Sequence, residues 1–133
     1  MAYRILEHTA DIGIEATAPD IPSLFSEAVR ATASVVLDGE PPPAFDRVAV
    51  SGEAGDLAAL LADVLQEALW RFEAQGWLPV DAELEVSGTT AAGTFGVVNN
   101  VTVGGPAIKA VTYHQLLVER TGEGWRAQVY FDV

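Results

Sequence analysis

Between Leu57 and Phe72, apolar side chains recur at helical spacing: Leu57, Leu60, Leu61, Val64, Leu65, Ala68, Leu69 and Phe72. At 3.6 residues per turn they fall on one broad stripe, with Asp63, Gln66, Arg71 and Glu73 on the opposite face. Such a stripe must be buried against a broad apolar surface, so this chain needs a sheet or a helix layer to cover it. Asp56 is placed as the N-cap, where its side chain accepts from otherwise unpaired N–H groups, and Gly76 ends the run. A second helix is predicted over about Ile21–Leu37, capped by Asp20 with Pro22 in its first turn. Leu24, Ala28, Val29, Thr32, Val35 and Val36 supply its apolar positions. Asp38-Gly39 stops it, and Pro41-Pro42-Pro43 prevents its resumption and forms a stiff spacer.

The rest of the chain reads as strands. Ile12, Ile14, Ala16 and Ala18 alternate with Gly13, Glu15 and Thr17, the period of a half-buried strand. Asp11 shares the parity of Gly13 and Glu15, so it is expected to point away from the core, with His8 in the turn before it. Further strands are predicted over Tyr3–Glu7, Phe45–Gly52, Pro79–Ser87, Ala91–Val98, Ala110–Arg120 and Trp125–Val133. Gly88, Gly93, Gly104-Gly105 and the Thr121–Gly124 hairpin tip mark the bends. The order strand, strand, helix, strand, helix and four strands predicts an α+β fold: a mostly antiparallel β-sheet or sandwich with two packed helices. A length of 133 residues, half of them hydrophobic, predicts a single domain over residues 1–133.

Charge excludes some functions. The net charge is −12 with only seven Lys and Arg, so the clustered basic surface that displaces counterions from nucleic acid is missing, and no direct nucleic-acid binding is expected. The acidity suits a basic protein partner, a cation or plain solubility. No cysteine is present, which removes disulfides, thiolate chemistry and cysteine-type zinc sites and suits a reducing compartment. Met1-Ala2-Tyr3-Arg4 opens no apolar run of signal-peptide type, and no run reaches the roughly 18 apolar residues of a spanning helix. A soluble cytoplasmic protein without membrane association is expected.

No phosphate-loop glycine pattern, nucleophile elbow or two-histidine zinc helix occurs. The two histidines, His8 and His114, are ordinary surface residues unless the fold supplies partners. In the last strand, Trp125, Ala127, Val129, Phe131 and Val133 share one parity; Arg126, Gln128, Tyr130 and Asp132 share the other. Asp132 thus lies on the polar side, one residue from the terminal α-carboxylate of Val133. Three carboxylates, with Asp11 as the third, would repel unless a proton or cation joined them, and oxygen donors favour Ca²⁺, Mg²⁺ or Mn²⁺ over zinc. Spacing leaves open whether Asp11 and Asp132 meet or stand as solvated aspartates on separate edges.

Three segments, in order, resemble the archease family: His8-Thr9-Ala10-Asp11-Ile12-Gly13 followed by Leu24-Phe25-Ser26-Glu27-Ala28, then Ile108-Lys109-Ala110-Val111-Thr112-Tyr113-His114, then Phe131-Asp132-Val133. The resemblance implies a protein cofactor of the GTP-dependent RNA ligase of tRNA splicing and RNA repair, one that promotes guanylylation and turnover of the ligase without a reaction of its own. It implies a divalent cation, Ca²⁺, Mg²⁺ or Mn²⁺, held by Asp11, Asp132 and the carboxylate of Val133. His8, Lys109 and His114 match motif positions as partner or nucleotide contacts; Lys109 reads equally as a solvated strand-edge lysine. The chain departs from the family pattern in its uncharged Phe95–Pro106 segment, in Val64-Leu65 where a Trp-Leu pair is usual, and in Gln115 after His114. Two alternatives are a small metal-dependent hydrolase, with His8, Asp11 and His114 around a cation that activates water, and a chaperone-like interaction module.

Overall fold

The computed structural model describes residues 1–7 and 11–133. Helix α1 spans Ile21–Leu37 and helix α2 spans Leu57–Gln75. Each opens on its predicted aspartate: Asp20 Oδ1 accepts from Ser23 N–H at 2.8 Å, and Asp56 Oδ1 from Ala59 N–H at 2.8 Å. Gly76 closes α2 in the left-handed conformation, φ 75°. At the end of α1 the left-handed residue is Asp38, φ 56° and ψ 50°, rather than the glycine after it. A short polar side chain tolerates that conformation at a modest cost, and the turn satisfies the Ser34 carbonyl.

The strands are β1 (Ala2–Glu7), β2 (Asp11–Ala18), β3 (Asp46–Glu53), β4 (Leu78–Ser87), β5 (Thr90–Val98), β6 (Ala110–Arg120) and β7 (Trp125–Asp132). They form two antiparallel sheets, a four-stranded one in the order β1-β2-β7-β6 and a three-stranded one in the order β3-β5-β4. Helix α1 packs on β2 of the first sheet and β4 of the second, and α2 packs on β6, β3 and β4, so the helices join the sheets. The main core draws Phe25 from α1, Phe95 from β5 and Phe131 from β7, all fully buried. The α2 stripe is buried from Leu60 to Leu69 and only half-buried at its ends, Leu57 and Phe72.

Strand β6 covers the predicted Ala110–Arg120 but is not a continuous ladder. Its register against β7 shifts between Thr112 and Leu117, and Gln115 adopts φ 53°. This bulge lifts Tyr113, His114 and Gln115 to the surface, where Gln128 Nε2 donates to the Gln115 carbonyl at 3.1 Å.

Candidate functional site

Strand β7 assembles the site. It lies between β2 and β6, so the last residues of the chain meet one of its earliest motifs in the middle of a sheet. The register sets Asp132 opposite Asp11 on one side and opposite Ala110 on the other. The core side of β7 holds Ala127, Val129 and Phe131, which leaves Asp132 and Asp11 on the outer face with Tyr130 and Gly13. Phe131 is 0% exposed, and Lys109 N–H donates to the Asp132 carbonyl at 2.8 Å. The backbone is therefore held up to Asp132, and Val133 follows at 38% exposure.

Like charges directly opposite in an antiparallel pair destabilise it, because the Cβ atoms stand only about 4.5–5.5 Å apart. Among the described residues, neither the Asp11 nor the Asp132 side chain has a hydrogen-bonding or ion-paired partner. Also among the described residues, no three His, Cys, Asp or Glu side chains gather closely enough to hold a metal ion. A set built on Asp11 and Asp132 would need a third donor of another kind. An oxygen-only donor set of this charge suits a hard divalent cation. His8 lies outside the described residues.

Gly13 faces Tyr130 across the pair; a Cβ there would lie 2.7 Å from Tyr130 Cε1, so the glycine makes room for the ring. The His114 ring sits 6.4 Å from the Tyr130 ring, tilted at 54°. The bulge of β6 thus brings His114 beside Tyr130, two residues from Asp132 along β7.

A charge ladder that the sequence reading missed crosses the same face. Arg4 Nε donates to Glu15 Oε1 at 3.0 Å, Arg126 donates to Glu15 Oε2 at 2.8 Å, and Arg126 Nε donates to Glu119 Oε1 at 3.0 Å. One residue from each strand takes part, in the order β1, β2, β7, β6. The Arg4 hydrogen bond, with help from Arg126, holds the Glu15 carboxyl below its ordinary value against the opposing effect of burial. Glu119 and then Glu15 push the Arg126 guanidinium up. The alternating signs are visible in the sequence, but they line up only once the strand order is known.

The other arginines are also engaged. Arg30 meets Glu40 at 3.5 Å, Arg47 meets Asp81 at 2.9 Å, Arg71 donates to the Ala49 carbonyl at 2.7 Å, and Arg120 lies over Trp125 at 5.7 Å. Lys109, the single lysine of the chain, has no ion pair, hydrogen bond from its side chain or ring contact among the described residues.

The sequence profile of the Archease protein family (MTH1598/TM1083) matches residues 3–133. The chain belongs to the archease family. Protein archease of Methanosarcina mazei is 30% identical over 141 residues, covering 98% of this chain and 95% of its own length. The solution structure of protein 1598 of Methanobacterium thermoautotrophicum superposes with a TM-score of 0.77 at 24% identity, covering 98% of each chain. An archease of Thermotoga maritima, described as a possible chaperone, superposes with a TM-score of 0.64 at 24% identity, covering 96% of this chain and 94% of that one. The arrangement of two helices on antiparallel sheets is therefore the archease fold. Among the described residues, no helix is long and apolar enough to cross a membrane.

Proposed function

We propose that this archease is a protein cofactor of a GTP-dependent RNA ligase, and that it promotes guanylylation and turnover of the ligase through a site built on Asp11, Asp132 and the terminal carboxylate of Val133. The observation that carries the reading is the register of β7, which sets Asp132 opposite Asp11 with no counter-charge from another side chain among the described residues. A divalent cation held there would neutralise the carboxylates and offer a positive centre to a partner's phosphate or carboxylate groups. Lys109, whose main-chain N–H donates to the Asp132 carbonyl, is a further candidate contact together with His8 and His114. The net charge of −12 supports a partner with a basic face, as an RNA-binding enzyme carries, over RNA itself.

The test adds this protein to its cognate ligase with GTP and Mn²⁺ and follows guanylylated ligase over time. Wild type is expected to accelerate the accumulation, and Asp11→Asn, folded as judged by circular dichroism, is expected to lose the effect. No acceleration by folded wild type, with a ligase that responds to another archease, would reject the proposal. A chaperone role would show instead as client binding that survives Asp11→Asn.

A further inference from the structure

Lys109 has a second neighbourhood. It lines a cleft of about 490 Å³ formed by α1, α2 and the connection between β5 and β6. The helices contribute Val36, Leu69 and Phe72. The connection contributes Val103, Pro106 and Ile108, and it belongs to the stretch that carries no charged residue from Phe95 to Pro106. Val103 is 51% exposed, and Trp70, next to Leu69 on α2, is 50% exposed. The only charged lining residues are Glu73 and Lys109, both exposed, and they do not pair with each other.

We propose that this cleft docks an apolar side chain of a partner protein, borne on a segment whose adjacent carboxylate pairs with Lys109. Size and lining suit an anchor residue: the cleft is within the usual range for binding pockets, and apolar anchors seated in pockets carry most of the energy of protein interfaces. Charge decides what flanks the anchor. Lys109 is the only Lys or Arg side chain left unengaged among the described residues of a chain with net charge −12. An acidic segment is repelled by most of such a surface and attracted at this point, which fixes its position and register. Lys109 N–H also donates to the Asp132 carbonyl, which ties the main chain at the rim of the cleft to the end of β7. The proposal presumes a protein partner but not an RNA ligase, and its test contains no ligase, so either reading can fail without the other.

The test titrates three blocked peptides into isotopically labelled protein and follows backbone amide resonances: acetyl-Gly-Phe-Asp-Gly-amide, its Phe-Lys counterpart and its Ala-Asp counterpart. The Phe-Asp peptide is expected to give saturable shifts centred on Leu69, Phe72, Ile108 and Lys109. The Phe-Lys peptide is expected to bind about fivefold more weakly, the size of one exposed ion pair, and the Ala-Asp peptide to give no saturable shift. Lys109→Glu is expected to reverse the preference between the Asp and Lys peptides. Val103→Asp, at an exposed position, is expected to abolish binding with an unchanged melting temperature. Equal binding of the Asp and Lys peptides, shifts centred elsewhere, no saturable shift with any peptide, or full binding by Val103→Asp would each overturn the proposal. Binding of the Ala-Asp peptide as tightly as the Phe-Asp peptide would assign the site to small anions and overturn it equally.

Discussion

Changing Asp132 to Asn tests the carboxylate pair without any partner. The substitution keeps the shape of the side chain and removes one of two negative charges that the β2–β7 register places face to face. At a separation of about 6 Å, their repulsion is about 0.7 kcal/mol in a water-like dielectric and twice that where the effective dielectric is halved. Asp11 is half-buried and Asp132 exposed, so the lower figure applies, and salt reduces it further. In chelator, Asp132→Asn is therefore expected to be more stable than wild type by about 0.5 kcal/mol, within the range of cross-strand pair effects.

Calcium is expected to reverse that order. A ligand bound only by the folded state stabilises it by about 2.7 kcal/mol at one hundred times its dissociation constant. Wild type gains this increment, while the variant, short of one anionic donor, gains little. Urea unfolding of both proteins, in chelator and in excess Ca²⁺, supplies the four midpoints. A variant less stable than wild type in chelator would refute the claim that these carboxylates repel in the metal-free fold. An equal gain from Ca²⁺ in both proteins would remove Asp132 from the proposed cation site.

A short Gly-Ser extension after Val133 turns the terminal carboxylate into a neutral amide, so it is expected to weaken Ca²⁺ binding about as much as Asp132→Asn, with calorimetric titration as the check. Gly13→Ala drives a Cβ to 2.7 Å from Tyr130 Cε1 and is expected to cost about 1–3 kcal/mol in urea unfolding, with a change in the tyrosine near-ultraviolet signal. The Glu15 carboxyl is depressed on folding, first by the Arg4 hydrogen bond, so its contribution is complete above the ordinary glutamate value and is lost as pH falls through the lower folded-state value. Glu15→Gln is therefore expected to be less stable than wild type at neutral pH and to show a shallower acid limb in a stability–pH profile; parallel limbs would exclude the ladder as a source of acid sensitivity.

The local signals proved legible because they act within a few residues. Asp20 and Asp56 cap their helices as expected, since a cap needs only its own side chain and the next turn. The stripe from Leu60 to Leu69 is buried because helical geometry alone puts it on one face. What could not be read locally was pairing. Two sheets formed, and the last strand was inserted between the second and the sixth, choices set by tertiary packing among many strands of similar alternation. The bulge in β6 was hidden for a related reason: the shift is defined only against β7. Parity placed Asp11 and Asp132 on outer faces, yet parity cannot say whose outer face. A slip of one residue in β7 would carry Asp132 to the core side and expose Phe131, a side chain now fully buried, so the core enforces the register. The meeting of the two aspartates is in that sense specified by Phe131, Val129 and Ala127: hydrophobic burial selects the one register that sets like charges face to face. The core tolerates their repulsion because burying one phenylalanine outweighs it several-fold.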